Sequence, residues 1–239
     1  MAKNKTVLAR ISDTQPKNSS GNYTRLFGDE DIGNLISQIQ SASIKAGYVL
    51  ENIITQKSTL IPDGNLDKFI DECIEGKHNG IFLSTKKMIK ASKYHVEGHE
   101  PDLMIFSLKK NGRSVCYIVE LKVGAAFDTK KADGEKETLE KCRSVLGPQL
   151  PFITNFYLCA FHAKDRKEIV TGLKGRFTEK EVITGQELCE ILSMNYSEVL
   201  EEESQFQRDN IIYFTRAVVK NAKNKMYLIP EEEFYDMQE

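Results

Sequence analysis

The sequence lacks any apolar run that approaches the roughly 18 residues needed to cross a bilayer. Its first residues, Met-Ala-Lys-Asn-Lys-Thr-Val-Leu, contain no apolar stretch long enough for a secretory signal. Cysteine is sparse, since the five cysteines are widely spaced and form no C-x-x-C pair. These absences exclude a membrane span and a disulfide scaffold, and they predict reduced thiols in a cytoplasmic protein.

Two common enzyme motifs are also absent. The sequence contains neither G-x-x-x-x-G-K-[ST] nor G-x-S-x-G, so neither a nucleoside triphosphatase nor an α/β-hydrolase is indicated. What is present is a chain of 239 residues, 40% hydrophobic and 28% charged. That length and composition suit a globular protein of one large or two small domains with a substantial core.

The near-neutral net charge of −2 conceals a strong asymmetry along the chain. Residues 101–180 carry a net charge of +5, whereas residues 181–239 carry −8. A basic middle third is typical of a protein that presents one positive surface to a polyanion. Solvated charged faces explain the same numbers, so charge alone does not decide the function.

The hydrophobic pattern predicts an α/β (α+β) protein. Apolar residues recur at helical spacing from Asp31 to Ile54 with an interruption at Gly47, and a second helix is expected over Asn65–Lys77. The stretch from there to about Gly98 is ambiguous. The later segments are two strands, a helix, a strand and two helices: Asp102–Lys109, Ser114–Val123, Gly134–Leu146, Ile153–Phe161, Gly185–Met194 and Gln205–Asn221.

No repeat, linker or low-complexity tract divides the chain. We therefore predict a single domain over residues 1–239. Its core spans about residues 31–161, and a helical C-terminal portion spans about residues 181–239.

One predicted strand carries charges where burial makes them costly. In Ser114–Val123, Glu120 and Lys122 lie on the same face, near the end of a strand that is otherwise apolar on both sides. The preceding strand opens with Asp102, and the loop between the strands decides where Asp102 lies. A two-residue loop at Asn111-Gly112 would turn Asp102 away from Glu120.

A three-residue loop over Lys110–Gly112 has the opposite effect. It pairs Lys109 with Arg113 and sets Asp102 directly opposite Glu120 on the same face. Such a loop needs a left-handed residue at its third position, where Gly112 lies. The sequence thus permits the register that brings two carboxylates together. A divalent cation relieves their repulsion, and Mg²⁺ held in this way suits phosphate chemistry.

The segment Pro101-Asp102, followed after seventeen residues by Glu120-Leu121-Lys122, resembles the signature of the PD-(D/E)XK nuclease superfamily. The predicted order of elements is similar to the αβββαβ core of that superfamily, in which a mixed sheet is flanked by helices. Within the superfamily the chain most resembles the type II restriction endonucleases, because no helicase, ATP-binding or methyltransferase motif accompanies the signature.

The resemblance implies roles for particular residues. Asp102, Glu120 and Lys122 would be catalytic, with Asp102 and Glu120 as Mg²⁺ ligands, and Glu51 near the end of the first long helix would be a further ligand. A solvated helix face accounts for Glu51 equally well. DNA-backbone contacts are expected from basic residues near the catalytic strand and at the hairpin tip: Lys130, Lys131, Lys109, Lys110 and Arg113.

The function implied is Mg²⁺-dependent hydrolysis of double-stranded DNA at a short sequence, leaving 5′-phosphate ends. A homodimer is expected because a two-fold protein matches a palindromic site. A DNA methyltransferase is expected in the same system, though not as a stable subunit. Two alternatives remain open: a structure-specific repair or recombination nuclease of the same fold, and a non-catalytic nucleic-acid-binding module whose charged residues form only an ion-pair cluster.

Overall fold

The computed structural model of the protein describes residues 10–14, 21–110, 112–125 and 128–225. The strands are β1 (Gly80–Thr85), β2 (Leu103–Leu108), β3 (Val115–Lys122), β4 (Ile153–Ala160) and β5 (Val182–Thr184). The α-helices are α1 (Asn22–Phe27), α2 (Glu30–Ala46), α3 (Val49–Lys57), α4 (Leu66–Ile74), α5 (Lys86–Lys90), α6 (Thr129–Leu146), α7 (Arg166–Gly172), α8 (Gly185–Ile191) and α9 (Tyr196–Lys225).

The five strands form one mixed sheet in the order β1-β2-β3-β4-β5. The first three strands pair antiparallel, and β4 and β5 continue the sheet in parallel. The helix α6 connects β3 to β4, as a parallel pair requires a crossover. The predicted α+β class with helices flanking a mixed sheet is therefore confirmed, and β1 comes from the stretch that the sequence pattern left ambiguous.

The boundaries of the helices follow from local chemistry. The long N-terminal helix divides into α2 and α3 around Gly47, and the side chain of Asp29 caps α2 by accepting a hydrogen bond from the Ile32 N–H at 2.9 Å. The predicted start of α6 at Gly134 is wrong. Asp128 caps this helix through the Lys130 N–H at 2.8 Å, so α6 begins at Thr129.

The described chain forms two compact units, one from residues 53–199 and the other from residues 1–52 with 200–239. The single domain over residues 1–239 stays a prediction. The first unit contains the whole sheet, and one face of the sheet packs on α4 and α6. Phe69 of α4 lies edge-on to Phe106 of β2 at 5.2 Å between ring centroids. Buried aromatic and aliphatic side chains of this kind supply most of the driving force for folding.

In the second unit, polar contacts join the residues before α1, and the N-cap of α2, to α9. The N–H of Ile11 donates to Asn210 Oδ1 at 2.9 Å, Arg10 pairs with Asp209, and Lys225 pairs with Asp29. Among the described helices, none combines the length and the apolar character needed to cross a membrane.

Candidate active site

The pairing of β2 with β3 fixes the position of Asp102. The ladder runs from Leu103 opposite Val119 to Ser107 opposite Val115. Continued by one residue, this register sets Asp102 opposite Glu120, and residues directly opposite in an antiparallel pair typically have Cβ atoms about 4.5–5.5 Å apart. The register predicted for the longer hairpin loop is thus confirmed.

The connection that produces this register, predicted as a three-residue loop or a bulge with the same effect, is described only in part. Asn111 of the predicted turn lies outside the described residues, so the three-residue loop over Lys110–Gly112 stays a prediction. Strand β2 ends at Leu108 and β3 begins at Val115, and the N–H of Lys109 donates to Ser114 Oγ at 3.2 Å.

The Asp102 carboxylate is held between two elements. Its Oδ2 accepts a hydrogen bond from the Leu121 N–H of β3 at 3.0 Å. Its Oδ1 lies 3.3 Å from Nζ of Lys86, the first residue of α5, and its own carbonyl accepts from the Lys86 N–H at 2.9 Å. Since the Leu121 contact ties the carboxylate to the strand of Glu120, the two carboxylates stay adjacent.

Glu120 and Lys122 form the centre of the site. The Lys122 ammonium donates to Glu120 Oε1 at 2.6 Å and lies 2.7 Å from Oε1 of Glu135 in α6. Glu120 is buried, at 6% exposure, whereas the side chains of Lys122 and Glu135 retain 18% and 17%. The site therefore contains three carboxylates and two ammonium groups, Lys86 and Lys122, at one end of β2 and β3.

Negative charge is crowded in the cluster, because its three carboxylates lie close together. Burial, together with the carboxylates of Asp102 and Glu135, raises the pKa of Glu120 to about 8, although Lys122 opposes the shift. Burial lowers the pKa of Lys122, but Glu120 and Glu135 outweigh it and leave the pKa above its ordinary value. A proton or a cation in addition to Lys122 is thus favoured at Glu120.

The residues present fit a magnesium ion. Mg²⁺ is typically held by one or two carboxylates and completes its shell with water and substrate phosphate, and Asp102 and Glu120 supply two adjacent carboxylates. The raised pKa of Glu120 indicates that the negative charge around this carboxylate exceeds the positive charge that Lys122 supplies. Within the described ranges, no group of three or more His, Cys, Asp or Glu side chains is arranged to hold a metal, so a ligand set larger than this pair is not preformed there.

The predicted DNA-contact residues lie in two separate places. Lys130 and Lys131 are exposed in the first turn of α6, the helix that also carries Glu135. Lys109, Lys110 and Arg113 are exposed at the opposite end of the hairpin. The six residues of β2 separate this tip from Asp102 by about 20 Å. The structure therefore places only the α6 lysines on an element of the site.

Glu51 lies in the first turn of α3 and is half-buried. It belongs to the unit formed by residues 1–52 and 200–239, whereas Asp102 and Glu120 belong to the other. Its role as a metal ligand stays a prediction.

Sequence reasoning missed two residues of the site, Lys86 and Glu135. Lys86 lies in the stretch that the pattern left ambiguous, so no signal identified it. Glu135 had a signal: it lies at helical spacing between Ala132 and Leu139, both fully buried, and is a charged residue in the apolar stripe of α6. Because α6 was predicted to start at Gly134, Ala132 lay outside the predicted helix and the stripe could not be recognised.

A mixed sheet that presents two carboxylates and a lysine at one end is suited to metal-assisted hydrolysis of phosphodiesters. Comparison with known proteins agrees with this class. HhaII, a type II restriction enzyme from Haemophilus parahaemolyticus, is 40% identical to this chain over 209 residues, which is 85% of the chain and 90% of the relative. No protein-family model and no solved structure matches the chain. The chain belongs to the family of type II restriction enzymes, and it is thus an endonuclease of a restriction system.

Proposed function

We propose that the protein is a Mg²⁺-dependent endonuclease of the PD-(D/E)XK superfamily that hydrolyses double-stranded DNA at a short specific sequence. The observation that carries the proposal is the register of β2 and β3, which sets Asp102 opposite Glu120, with Lys122 bonded to Glu120. Products would carry 5′-phosphate ends. The relation to HhaII favours cleavage at a sequence over recognition of a DNA structure.

Each residue of the cluster has a distinct task. Asp102 and Glu120 would hold the ion, and the Leu121 N–H keeps Asp102 oriented toward it. When bound, Mg²⁺ polarises the phosphoryl oxygen and lowers the pKa of a coordinated water. Lys122 is positioned beside Glu120 to orient the attacking water or to stabilise charge on the phosphate. Glu51 is proposed as a further ligand.

Binding of DNA would depend on a wider surface than the cluster. Lys130 and Lys131 are proposed to contact backbone phosphates, since both are exposed at the start of the helix that supplies Glu135. The hairpin-tip residues Lys109, Lys110 and Arg113 would contact phosphates at a distance from the scissile bond.

We also propose that the enzyme is a homodimer. In the described part of α9, the face that carries Tyr213, Ala217 and Asn221 lines a cavity with α2. The large apolar side chains are instead exposed on other faces of the helix: Ile211, Ile212, Phe214, Val218 and Val219, by 40–63%. An apolar patch of this kind is typical of an interface, and a second copy of the chain would provide the two-fold symmetry of a palindromic site.

The protein would act in the cytoplasm beside a DNA methyltransferase of the same system that is not a stable subunit. The experiment that tests the function is digestion of a fully sequenced phage genome with Mg²⁺ and with EDTA, with the fragment ends mapped. Discrete fragments with 5′-phosphate ends at one recurring sequence, formed only with the cation, are expected. Random degradation or no cleavage would contradict the proposal.

A further inference from the structure

The ammonium of Lys122 lies between two carboxylates, and one of them comes from outside the catalytic strands. Glu120, two residues earlier in β3, accepts one contact at 2.6 Å, and Glu135 of α6 accepts the other at 2.7 Å. A lysine side chain has four rotatable bonds, and a single partner on its own strand leaves much of that freedom. A second carboxylate from another element fixes where the ammonium lies.

Glu135 is itself held in place by the helix that carries it. Its neighbours along the same face of α6, Ala132 and Leu139, are 0% exposed, and Leu139 and Cys142 belong to the main core. The N-cap at Asp128 fixes the start of the helix. The carboxylate thus projects from a rigid element, as groups that orient a catalytic side chain should.

A carboxylate in an apolar helical stripe costs stability unless it is paired, and apolar replacements of buried charges are often neutral or stabilising. The side chain of Glu135 is 17% exposed and its ion pair is with Lys122. If Glu135 served only to stabilise the fold, an apolar side chain at this position would serve as well. The carboxylate therefore indicates a function at the site.

We propose that Glu135 is a positioning residue, which holds the Lys122 ammonium in the place where it acts on the scissile phosphate. The inference rests on the proposed nuclease function. Glu135 acts through Lys122 and contacts neither the ion nor the DNA, which distinguishes it from Asp102 and Glu120.

Three variants test the inference. Glu135→Met keeps the volume of the side chain and removes the acceptor, Glu135→Gln keeps an acceptor oxygen for Lys122, and Glu137→Ala is a matched control at an exposed position of the same helix. Each is measured for thermal unfolding, for DNA affinity in EDTA, and for kcat, KM and Mg²⁺ dependence in cleavage of the mapped site. Lys122→Ala is measured in parallel.

Glu135→Met is expected to fold at least as stably as the wild type, yet to lose about 10–100-fold in kcat, because small displacements of a catalytic group have effects of this size. KM, DNA affinity and the Mg²⁺ midpoint should change far less than kcat, because Asp102 and Glu120 are retained and Glu135 affects Glu120 only through its charge. Glu135→Gln should recover most of the lost kcat, and Glu137→Ala should match the wild type. A rise in stability with a fall in kcat would not come from a merely structural role.

Several outcomes would overturn the inference. Wild-type kcat in Glu135→Met would show that Lys122 needs no second partner. A loss that excess Mg²⁺ restores would make Glu135 a metal ligand instead, and an active Lys122→Ala variant would remove the group through which Glu135 acts. If the wild type itself does not cut DNA, the proposed function fails, which is a different result from failure of the positioning role.

Discussion

At the scale of single residues, Asp102, Glu120 and Lys122 converge on one point, whereas affinity for DNA comes from many contacts over a larger surface. Asp102→Ala and Glu120→Ala should therefore abolish cleavage but leave DNA affinity in EDTA unchanged or slightly tighter, because neither removes a phosphate contact. Only an ionised carboxylate repels the phosphates, which for Glu120 requires a pH above about 8. Lys122→Ala should also abolish cleavage and weaken binding by about 1 kcal/mol, the scale of one charge-assisted contact.

A paired assay of plasmid cleavage in Mg²⁺ and gel-shift affinity in EDTA measures both effects. Cleavage by Glu120→Ala at nearly the wild-type rate would mean that the active site lies elsewhere. Failure of that variant to fold would indicate that the cluster is a structural ion-pair group.

The raised pKa of Glu120 makes stability depend on pH in a defined direction. Its folded pKa of about 8 lies above its ordinary value of 4.5, because the group is buried beside Asp102 and Glu135. The folded state thus binds a proton that the unfolded state releases, and this contribution is full below about pH 4.5 and lost as the pH rises through about 8. In EDTA, wild-type stability should fall across this range.

Glu120→Gln removes the titrating group and keeps its shape. The difference in unfolding free energy between variant and wild type should therefore shift in favour of the variant by at least about 1 kcal/mol between pH 5 and pH 8. Denaturant unfolding at several pH values in EDTA measures this difference. A difference that is constant with pH would show that Glu120 is already ionised in the folded protein at pH 5.

At the scale of elements, alanine substitutions at two glycines are expected to have opposite effects on stability. A Cβ at Gly185, the first residue of α8, would lie 2.3 Å from the Phe161 carbonyl oxygen, a backbone atom that cannot easily move away. At Gly134, inside α6, an added Cβ would meet nothing within 4 Å. Gly185→Ala should therefore destabilise the protein by about 1–3 kcal/mol, and Gly134→Ala should stabilise it by about 0.5–1 kcal/mol.

The glycine at position 185 also bears on the site. The Phe161 N–H donates to the carbonyl of Lys122 at 2.8 Å, so a shift of Phe161 would disturb the backbone that carries the lysine proposed as catalytic. We expect Gly185→Ala to lower cleavage as well as stability. Chemical denaturation and cleavage assays on both variants check this, and equal stabilities of the two variants would contradict the close approach.

At the scale of the whole molecule, the exposed apolar surface of α9 predicts self-association. Ile211 and Val218 are 63% and 40% exposed on this helix. Ile211→Glu and Val218→Glu should convert a dimer to a monomer in sedimentation experiments, because a charge in an apolar interface is costly to desolvate. Ile74→Glu, at a 65% exposed position of α4, is the matched control and should leave the assembly unchanged.

If the dimer is needed to cut both strands, the α9 variants should also nick plasmid DNA rather than linearise it. A wild-type chain that sediments as a monomer, both free and on its cleaved site, would refute the homodimer. Loss of the dimer in Ile74→Glu alone would place the interface elsewhere.

Much of the fold was predictable because it depends on local pattern. Spacing of apolar residues predicted the divided helix before Lys57, and runs of apolar residues predicted β2, β3 and β4 to within about two residues. The pair Glu120 and Lys122 could be assigned to one face of a strand from periodicity alone. These features depend on residues close in sequence, which is why the sequence by itself determined them, together with the candidate chemistry of two carboxylates and a lysine.

The tertiary structure decided what depends on residues far apart in sequence. Two hairpin registers were compatible with the residues around Gly112, and only the pairing of the strands selected the one that sets Asp102 opposite Glu120. Lys86 and Glu135 reached the site through packing of α5 and α6 against the sheet. Periodicity places Glu135 in the apolar stripe of α6, but it does not specify which residue of the sheet Glu135 meets. The sequence by itself therefore determined the kind of chemistry, and the tertiary structure decided how its charges are paired, because electrostatic interactions depend on distances that folding alone sets.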